Sequence, residues 1–252
     1  MKKYLLILTI LSVTVACNRK SHLVYLNDVT NETLGSLKAP VYLIKPGDVL
    51  SIQIYTQDPN ISRLFNIAST QTTYYAYNTE ISTYINGFSV NDSGEVNLPV
   101  IGKVKIAELS LRDAQEAIQQ AADRYLKDAL VVVKLLSFRV TVLGEVKRPG
   151  TYTNYKDNLN IFEAIGLAGD LSDFGKRTNV LVLRNTTQGL KTFRMDLQDK
   201  NIMSSDGFFL QPNDTVIVEP RSGKVMALNT PNIQLLLSTL TTVLLFLNFL
   251  KK

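Results

Sequence analysis

The chain has 252 residues, room for one large domain or for two small ones with tails. Its formal charge of +5 comes without a block of like charges, so no nucleic-acid footprint is present. A single cysteine, Cys17, and a single histidine, His22, exclude an internal disulfide, a cysteine-based metal site and a patterned Ser/His/Asp set.

Met1-Lys2-Lys3 is a short basic start, and Tyr4 to Val15 is apolar. Ala16 then precedes Cys17. Such a stretch is a secretory signal, too short to span a bilayer. A small residue before a sole cysteine resembles the lipobox of bacterial lipoproteins, although Thr14 stands where that pattern usually has Leu. The resemblance implies that residues 1–16 are removed and that the Cys17 thiol carries the lipid, palmitate included. The other reading is an ordinary cleavage site with an incidental cysteine. Asn18 to Lys38 is polar and aperiodic, and residues 17–38 read as a lipidated tether.

Residues 39–137 read as a first small α+β domain. Pro46-Gly47-Asp48 makes a turn, with Asp48 bonding backbone amides. The alternation of Leu50, Ile52 and Ile54 then predicts a half-buried strand. Thr56 to Ser89 is long and hydroxyl-rich, with Tyr74, Tyr75, Tyr77 and Tyr84 clustered. Those rings suit sugar stacking, subunit contact or plain packing. Asp92-Ser93-Gly94 predicts a hairpin turn between Phe88–Val90 and Val96–Leu98. Ser110 caps a helix with Asp113 at its third position, and Leu111, Ala114, Ile118, Ala121, Ala122, Tyr125 and Leu126 form its buried face. Leu130 to Leu136 is a returning strand.

Residues 138–223 read as a second small α+β domain. Arg139 to Tyr152 is a strand, a break at Gly144, and a Pro149-Gly150 turn into another strand. Asn160 caps a short helix with Glu163 three residues on, and Gly169 stops it. Asn179–Arg184, Lys191–Asp196 and Thr215–Glu219 are further strands. Gln211-Pro-Asn-Asp214 echoes Lys45-Pro-Gly-Asp48, which we read as reused turn chemistry.

Residues 224–252 are a linker and a last helix. Ile233 to Leu250 reads IQLLLSTLTTVLLFLNFL and ends on Lys251 and Lys252. At about 1.5 Å per residue this run is roughly 27 Å long, near the hydrocarbon thickness of a bilayer. Gln234, Ser238, Thr241 and Asn248 fall along one stripe. The expected fold class is therefore α+β: two small domains followed by a C-terminal amphipathic transmembrane helix. The stripe suits a self-associating helix whose polar side faces other copies or water. A single anchor whose hydroxyls bond back to their own backbone remains the alternative.

Taken together, these motifs resemble a known family. The Pro46-Gly47-Asp48 turn, the Gly94-x-Val96-x-Leu98-Pro99-x-x-Gly102 segment, a helix and a Val-rich strand look like the polysaccharide biosynthesis/export domain of the Wza-type outer-membrane exporters. Gly144-x-Val146-x-x-Pro149-Gly150-x-Tyr152, with Ala164-Ile-Gly-Leu-Ala-Gly169 after it, looks like the SLBB β-grasp domain of the same exporters. Pro46, Gly47, Asp48, Gly94, Pro99, Gly102, Gly144, Pro149 and Gly150 would then be structural. The resemblance implies a homo-oligomeric ring in the outer membrane and soluble domains in the periplasm. It further implies a capsular or exopolysaccharide chain as cargo and an inner-membrane chain-length-regulating copolymerase as partner. Gln234, Ser238, Thr241 and Asn248 would line a hydrated pore. Long members carry a second β-grasp copy, and this chain is expected to carry a single copy. No catalytic residue, metal or cofactor is expected: H-E-x-x-H and P-loop motifs do not occur. The alternatives are a monomeric membrane-anchored glycan-binding lipoprotein and a glycan hydrolase with paired carboxylates.

Overall fold

The computed structural model describes residues 24–29, 37–66 and 87–250. The signal segment, Cys17, His22, the tyrosine cluster and the two last lysines lie outside them.

The first domain is built on β1 (Val49–Tyr55), whose Leu50, Ile52 and Ile54 alternate into the core. Next comes α1 (Pro59–Phe65), with Asp58 accepting the Asn60 N–H at its start. β2 (Phe88–Ser89) pairs antiparallel with β1. β3 (Glu95–Leu98) and β4 (Gly102–Lys105) form a hairpin. α2 (Leu111–Ala122) is capped by Ser110, which accepts the Asp113 N–H at 3.1 Å. β5 (Leu130–Leu135) returns antiparallel to β1, from Leu50↔Leu135 to Tyr55↔Leu130. The sheet order is β2-β1-β5, and Ala114, Ile118 and Ala122 of α2 close the core at helical spacing.

Two local expectations change. The turn at Asp92–Gly94 links β2 to β3, but β3 takes β4 as its ladder partner. The Gly94 carbonyl accepts the Ile106 and Ala107 N–H groups at 2.9 and 3.0 Å, which draws the far end of β4 against that turn. Tyr125 is not on the buried face of α2 and is exposed. The helix ends at Ala122, whose carbonyl takes both the Tyr125 and Leu126 N–H groups and turns the chain away.

The second domain runs β6 (Arg139–Gly144), β7 (Gly150–Thr153), β8 (Leu159–Asn160), α3 (Ile161–Leu167), β9 (Gly175–Thr186) and β10 (Gly189–Met195). A 3-10 turn at Lys200–Ser204, β11 (Phe209–Leu210) and β12 (Thr215–Pro220) complete it. Its sheet order is β10-β9-β12-β6-β7, with β12 parallel to β6 and the other pairs antiparallel. α3 carries a full capping box: Asn160 accepts the Glu163 N–H and Glu163 accepts the Asn160 N–H, each at 3.0 Å. Ile161, Ala164 and Ile165 seat it against Val140, Val142, Val180, Val182 and Val216. Leu135 packs against both cores and marks the join.

The last element is α4 (Gly223–Leu250). Among the described residues, no helix is long and apolar enough to cross a membrane. This corrects the expected fold class: the α+β domains stand, and the described part of the C-terminal helix is not long and apolar enough to cross a membrane. Over the described side chains, Gln234–Leu250, the leucines are interrupted by Gln234, Ser238, Thr239, Thr241, Thr242 and Asn248.

Gly144 tests the second domain. Its φ is +87°, and a Cβ there would lie 2.1 Å from the Val218 carbonyl oxygen of β12. That same oxygen accepts the Glu145 N–H at 3.0 Å. Gly144→Ala is expected to cost roughly 2–4 kcal/mol, from a left-handed backbone and a contact with main chain. A denaturant midpoint equal to that of the unaltered protein would refute this.

Candidate functional site

The two proline turns have the same chemistry. In the first, the Asp48 carboxylate accepts the Lys45 N–H at 2.9 Å, and the Asp48 N–H returns to the Lys45 carbonyl at 3.1 Å. In the second, Asp214 accepts the Gln211 N–H at 2.8 Å, and its own N–H returns to the Gln211 carbonyl at 3.1 Å. Gly47 and Asn213 hold the left-handed position at φ +89° and +67°. Each N–H there donates to a neighbouring strand, Gly47 to the Val90 carbonyl at 2.9 Å and Asn213 to the Arg139 carbonyl at 2.7 Å.

The further partners of the two carboxylates differ, and the difference makes the join between domains. Asp48 takes the Tyr42 hydroxyl at 2.8 Å and the Ser137 hydroxyl at 3.3 Å. Ser137 also accepts the Val49 N–H at 3.2 Å, so the short connection between domains is tied to β1. Burial and then the Asp48 charge push the Tyr42 phenol well above its ordinary range. Asp214 is held by Arg184, with Nη2 at 2.7 Å and Nε at 3.1 Å. Arg184 also donates to the Asp206 and Phe209 carbonyls at 3.2 and 2.8 Å. Burial pushes the Asp214 carboxyl up; Arg184, the Gln211 amide and Lys45 oppose it. Lys45 Nζ donates to Gln211 Oε1 at 3.3 Å, joining one turn directly to the other.

Gly144, Pro149 and Gly150 come together at the opposite end. The Lys147 and Arg148 N–H groups donate to the Asp170 and Ala168 carbonyls at 3.0 and 2.9 Å. This stitches the glycine-proline loop to the end of α3, where Gly169 turns at φ +77°. Glu145 reaches from this loop to the root of α4. It pairs with Lys224 in the first turn and accepts the Ser172 hydroxyl at 2.8 Å. The Arg221 N–H donates to the Phe174 carbonyl at 2.8 Å beside it. Sequence reading gave Glu145 no role; its only signal was a carboxylate inside the glycine-proline motif.

Of the other expected residues, Gly94, Pro99 and Gly102 shape the β3–β4 hairpin. Gly94 has φ +77°, and a Cβ there would lie 2.4 Å from that of Ala107. Gln234, Ser238, Thr241 and Asn248 are exposed along α4, together with the leucines around them. The Ser238 hydroxyl donates to the Leu235 carbonyl at 2.9 Å and that of Thr241 to the Ser238 carbonyl at 2.8 Å. Leu245, at i+4 from Thr241, falls on the same line before Asn248. Cys17 lies outside the described residues.

Surface clefts of about 700, 580 and 250 Å³ are each lined by a single carboxylate, Asp206 in the first and Asp157 in the other two. Glycoside hydrolysis needs two across one cleft. Among the described residues no group of His, Cys, Asp or Glu could hold a metal ion.

Residues 36–136 match the family model described as polysaccharide biosynthesis/export protein, and residues 138–218 match that of the SLBB domain. The chain belongs to the Wza-type polysaccharide export family. It is 28% identical over 190 residues to the EPS I polysaccharide export outer membrane protein EpsA of Ralstonia solanacearum, covering 73% of this chain and 49% of that one. The protein of the same name from Ralstonia nicotianae is 27% identical over 199 residues, covering 76% and 51%. The chain thus spans about half the length of the curated relatives it matches. The family is one of non-enzymatic transport components.

Two measurements test this geometry. Arg184→Met leaves a buried Asp214 carboxylate without its partner and is expected to cost about 3–5 kcal/mol of stability; an unfolding midpoint shift worth under about 1 kcal/mol would count against it. Lys224, then Ser172, holds the Glu145 carboxyl below its ordinary value. The stabilisation of the α4 root is therefore full above the ordinary glutamate range and lost as pH falls through the depressed value. Hydrogen exchange at the Lys224 amide, which donates to the Arg221 carbonyl at 3.0 Å, is expected to accelerate there in the unaltered protein and to lose that step in Glu145→Gln.

Proposed function

We propose that this protein is a subunit of an outer-membrane export channel for a capsular or exopolysaccharide chain. The observation that carries the reading is the consecutive match of an export domain and an SLBB domain, beside relatives that are named polysaccharide export outer membrane proteins. Several copies form a closed ring through head-to-tail contacts. Residues 39–137 and 138–223 are its two soluble layers in the periplasm, and Cys17 carries a lipid that holds the ring to the membrane. The glycan passes along the ring axis without turnover, received from an inner-membrane chain-length-regulating copolymerase.

In this reading α4 is a self-association element. Leu235 to Leu250 leave a wide apolar surface uncovered, more than a solvated helix retains alone. Copies of the helix cover one another's leucines, and the line of Gln234, Ser238, Thr241 and Asn248 faces the hydrated passage. A second reading is a monomeric, membrane-anchored glycan-binding lipoprotein. The return of the Ser238 and Thr241 hydroxyls to their own backbone favours it, since the stripe then needs no aqueous lumen.

The mass of the full-length protein after gentle detergent extraction separates the two. A large discrete oligomer is expected, and a monomer would sink the ring. Ser238→Leu combined with Thr241→Leu is then expected to abolish export of the glycan in cells while the oligomer persists. Unchanged export would favour the anchored binder.

A further inference from the structure

The described N-terminal segment, Val24 to Val29, does not pack on the domain that follows it. It lies on the SLBB domain. The Leu26 and Asn27 N–H groups donate to the Leu197 and Gln198 carbonyls, both at 3.0 Å. The Gln198 side-chain amide donates back to the Val24 carbonyl at 3.1 Å. The Leu197 N–H in turn donates to the Arg177 carbonyl of β9 at 2.8 Å, so the segment is tied to the sheet through Leu197. The segment itself is a turn: Leu26 is left-handed at φ +47°, and the Val29 N–H returns to the Leu26 carbonyl at 3.2 Å.

Two side chains add selectivity. Tyr25 meets Phe162 edge to face at 5.8 Å and covers the Arg177 guanidinium at 5.0 Å. Its hydroxyl donates to Asp170. Asp28 accepts the Lys200 N–H at 2.9 Å, at the start of the 3-10 turn. Arg177 is only 6% exposed, and its Nε and Nη1 find no hydrogen-bond partner among the described residues. A buried guanidinium in that state is costly without neighbouring charge and a cover. Asp170 supplies the charge, and the Tyr25 ring supplies the cover. Burial pushes the Asp170 carboxyl up, but the Tyr25 hydroxyl, the Leu171 amide, Arg177 and Lys147 outweigh it and hold it below its ordinary value.

We propose that the SLBB domain carries a peptide-recognition groove for a Tyr-x-x-Asp segment, and that its occupant is the chain's own Tyr25-Leu26-Asn27-Asp28. Phe162, Asp170 and Arg177 read the tyrosine, and the Lys200 amide reads the aspartate. The groove pins the leader of the chain beside the root of α4. Asp170 and Ser172 share one loop, and Ser172 donates to the Glu145 carboxylate that holds Lys224. Cys17 is at most about 29 Å along an extended chain from Tyr25. A lipid there would leave from the same end of the domain as α4. That last consequence rests on the lipidated Cys17 of the proposed function; the groove does not.

Hydrogen exchange on the full-length protein is the test. The Leu26 and Asn27 amides are expected to be protected in the unaltered chain. The full-length variant Tyr25→Ala with Asp28→Ala is expected to lose that protection while β9 keeps its own. A capped synthetic peptide of residues 24–29 is then expected to bind this variant, to protect the Lys200 amide again, and to leave the unaltered, already occupied protein untouched. Asp170→Leu added to the variant is expected to weaken peptide capture at least about tenfold, or about 1.4 kcal/mol. Unprotected Leu26 and Asn27 amides in the unaltered protein would overturn the proposal. So would a variant with intact β9 that takes no peptide. If the double variant does not fold, Tyr25→Phe in the full chain decides: faster exchange at Leu26 and Asn27 supports the proposal, and unchanged exchange overturns the role of the Tyr25–Asp170 bond. A protein that is monomeric in detergent yet protects these amides keeps the groove and loses only the ring.

Discussion

A buried aspartate that closes a proline turn onto its own backbone recurs in both domains, and the way they are joined depends on it. Asp48 and Asp214 each accept the amide three residues back and return their own N–H to the same residue. Each turn thereby fixes the direction in which a central strand starts, β1 in one domain and β12 in the other. The remaining carboxylate capacity goes to further side chains: the nearby Tyr42 and the distant Ser137 for Asp48, the distant Arg184 for Asp214. A buried carboxylate left without such partners would be strongly destabilising. The Lys45–Gln211 contact places the turns side by side, and the Ser137 hydroxyl ties the connecting residues to both Asp48 and Val49. The two cores thus share Leu135 and a hydrogen-bonded joint.

The far end of the second domain gathers Val24–Val29 and the root of α4. The Gly144–Gly150 loop and the segment after α3 are stitched together by main-chain bonds. The Glu145 side chain then takes the first turn of α4, while Asp170 takes Tyr25. In the proposed ring, a subunit whose second domain holds both Val24–Val29 and the root of α4 passes the position of one layer to the next. This view also gives the SLBB domain a role that needs no bound sugar: it is the piece on which the leader, the export domain and the helix all converge.

The family is one of non-enzymatic transport components. Among the described residues, buried Asp48 and Asp214 serve turns, and the exposed apolar surface of α4 suits the proposed conduit.

Much of this was legible in the sequence, for local reasons. Pro-Gly-Asp and Pro-Asn-Asp announce their turns because proline presets φ, the next residue takes the left-handed position, and aspartate caps the amide. The Asn160–Glu163 pair announces a capped helix because both groups satisfy free donors within one turn. Alternation at Leu50, Ile52 and Ile54 marks a strand because a pleated chain shows one face to the core. The family motifs were legible for the same reason, since they are turns and close approaches such as that of Gly144 to Val218. Tertiary structure alone decided the rest. It paired β3 with β4, because the Gly94 carbonyl has two donors waiting there. It set Arg184 on Asp214 and Lys224 on Glu145, contacts between residues far apart in the chain. It seated Val24–Val29, aperiodic as a string, on a groove that exists only once β9 and α3 are packed. And it left α4 bare: apolar periodicity says that a helix will form, but what covers a helix is a property of its neighbours.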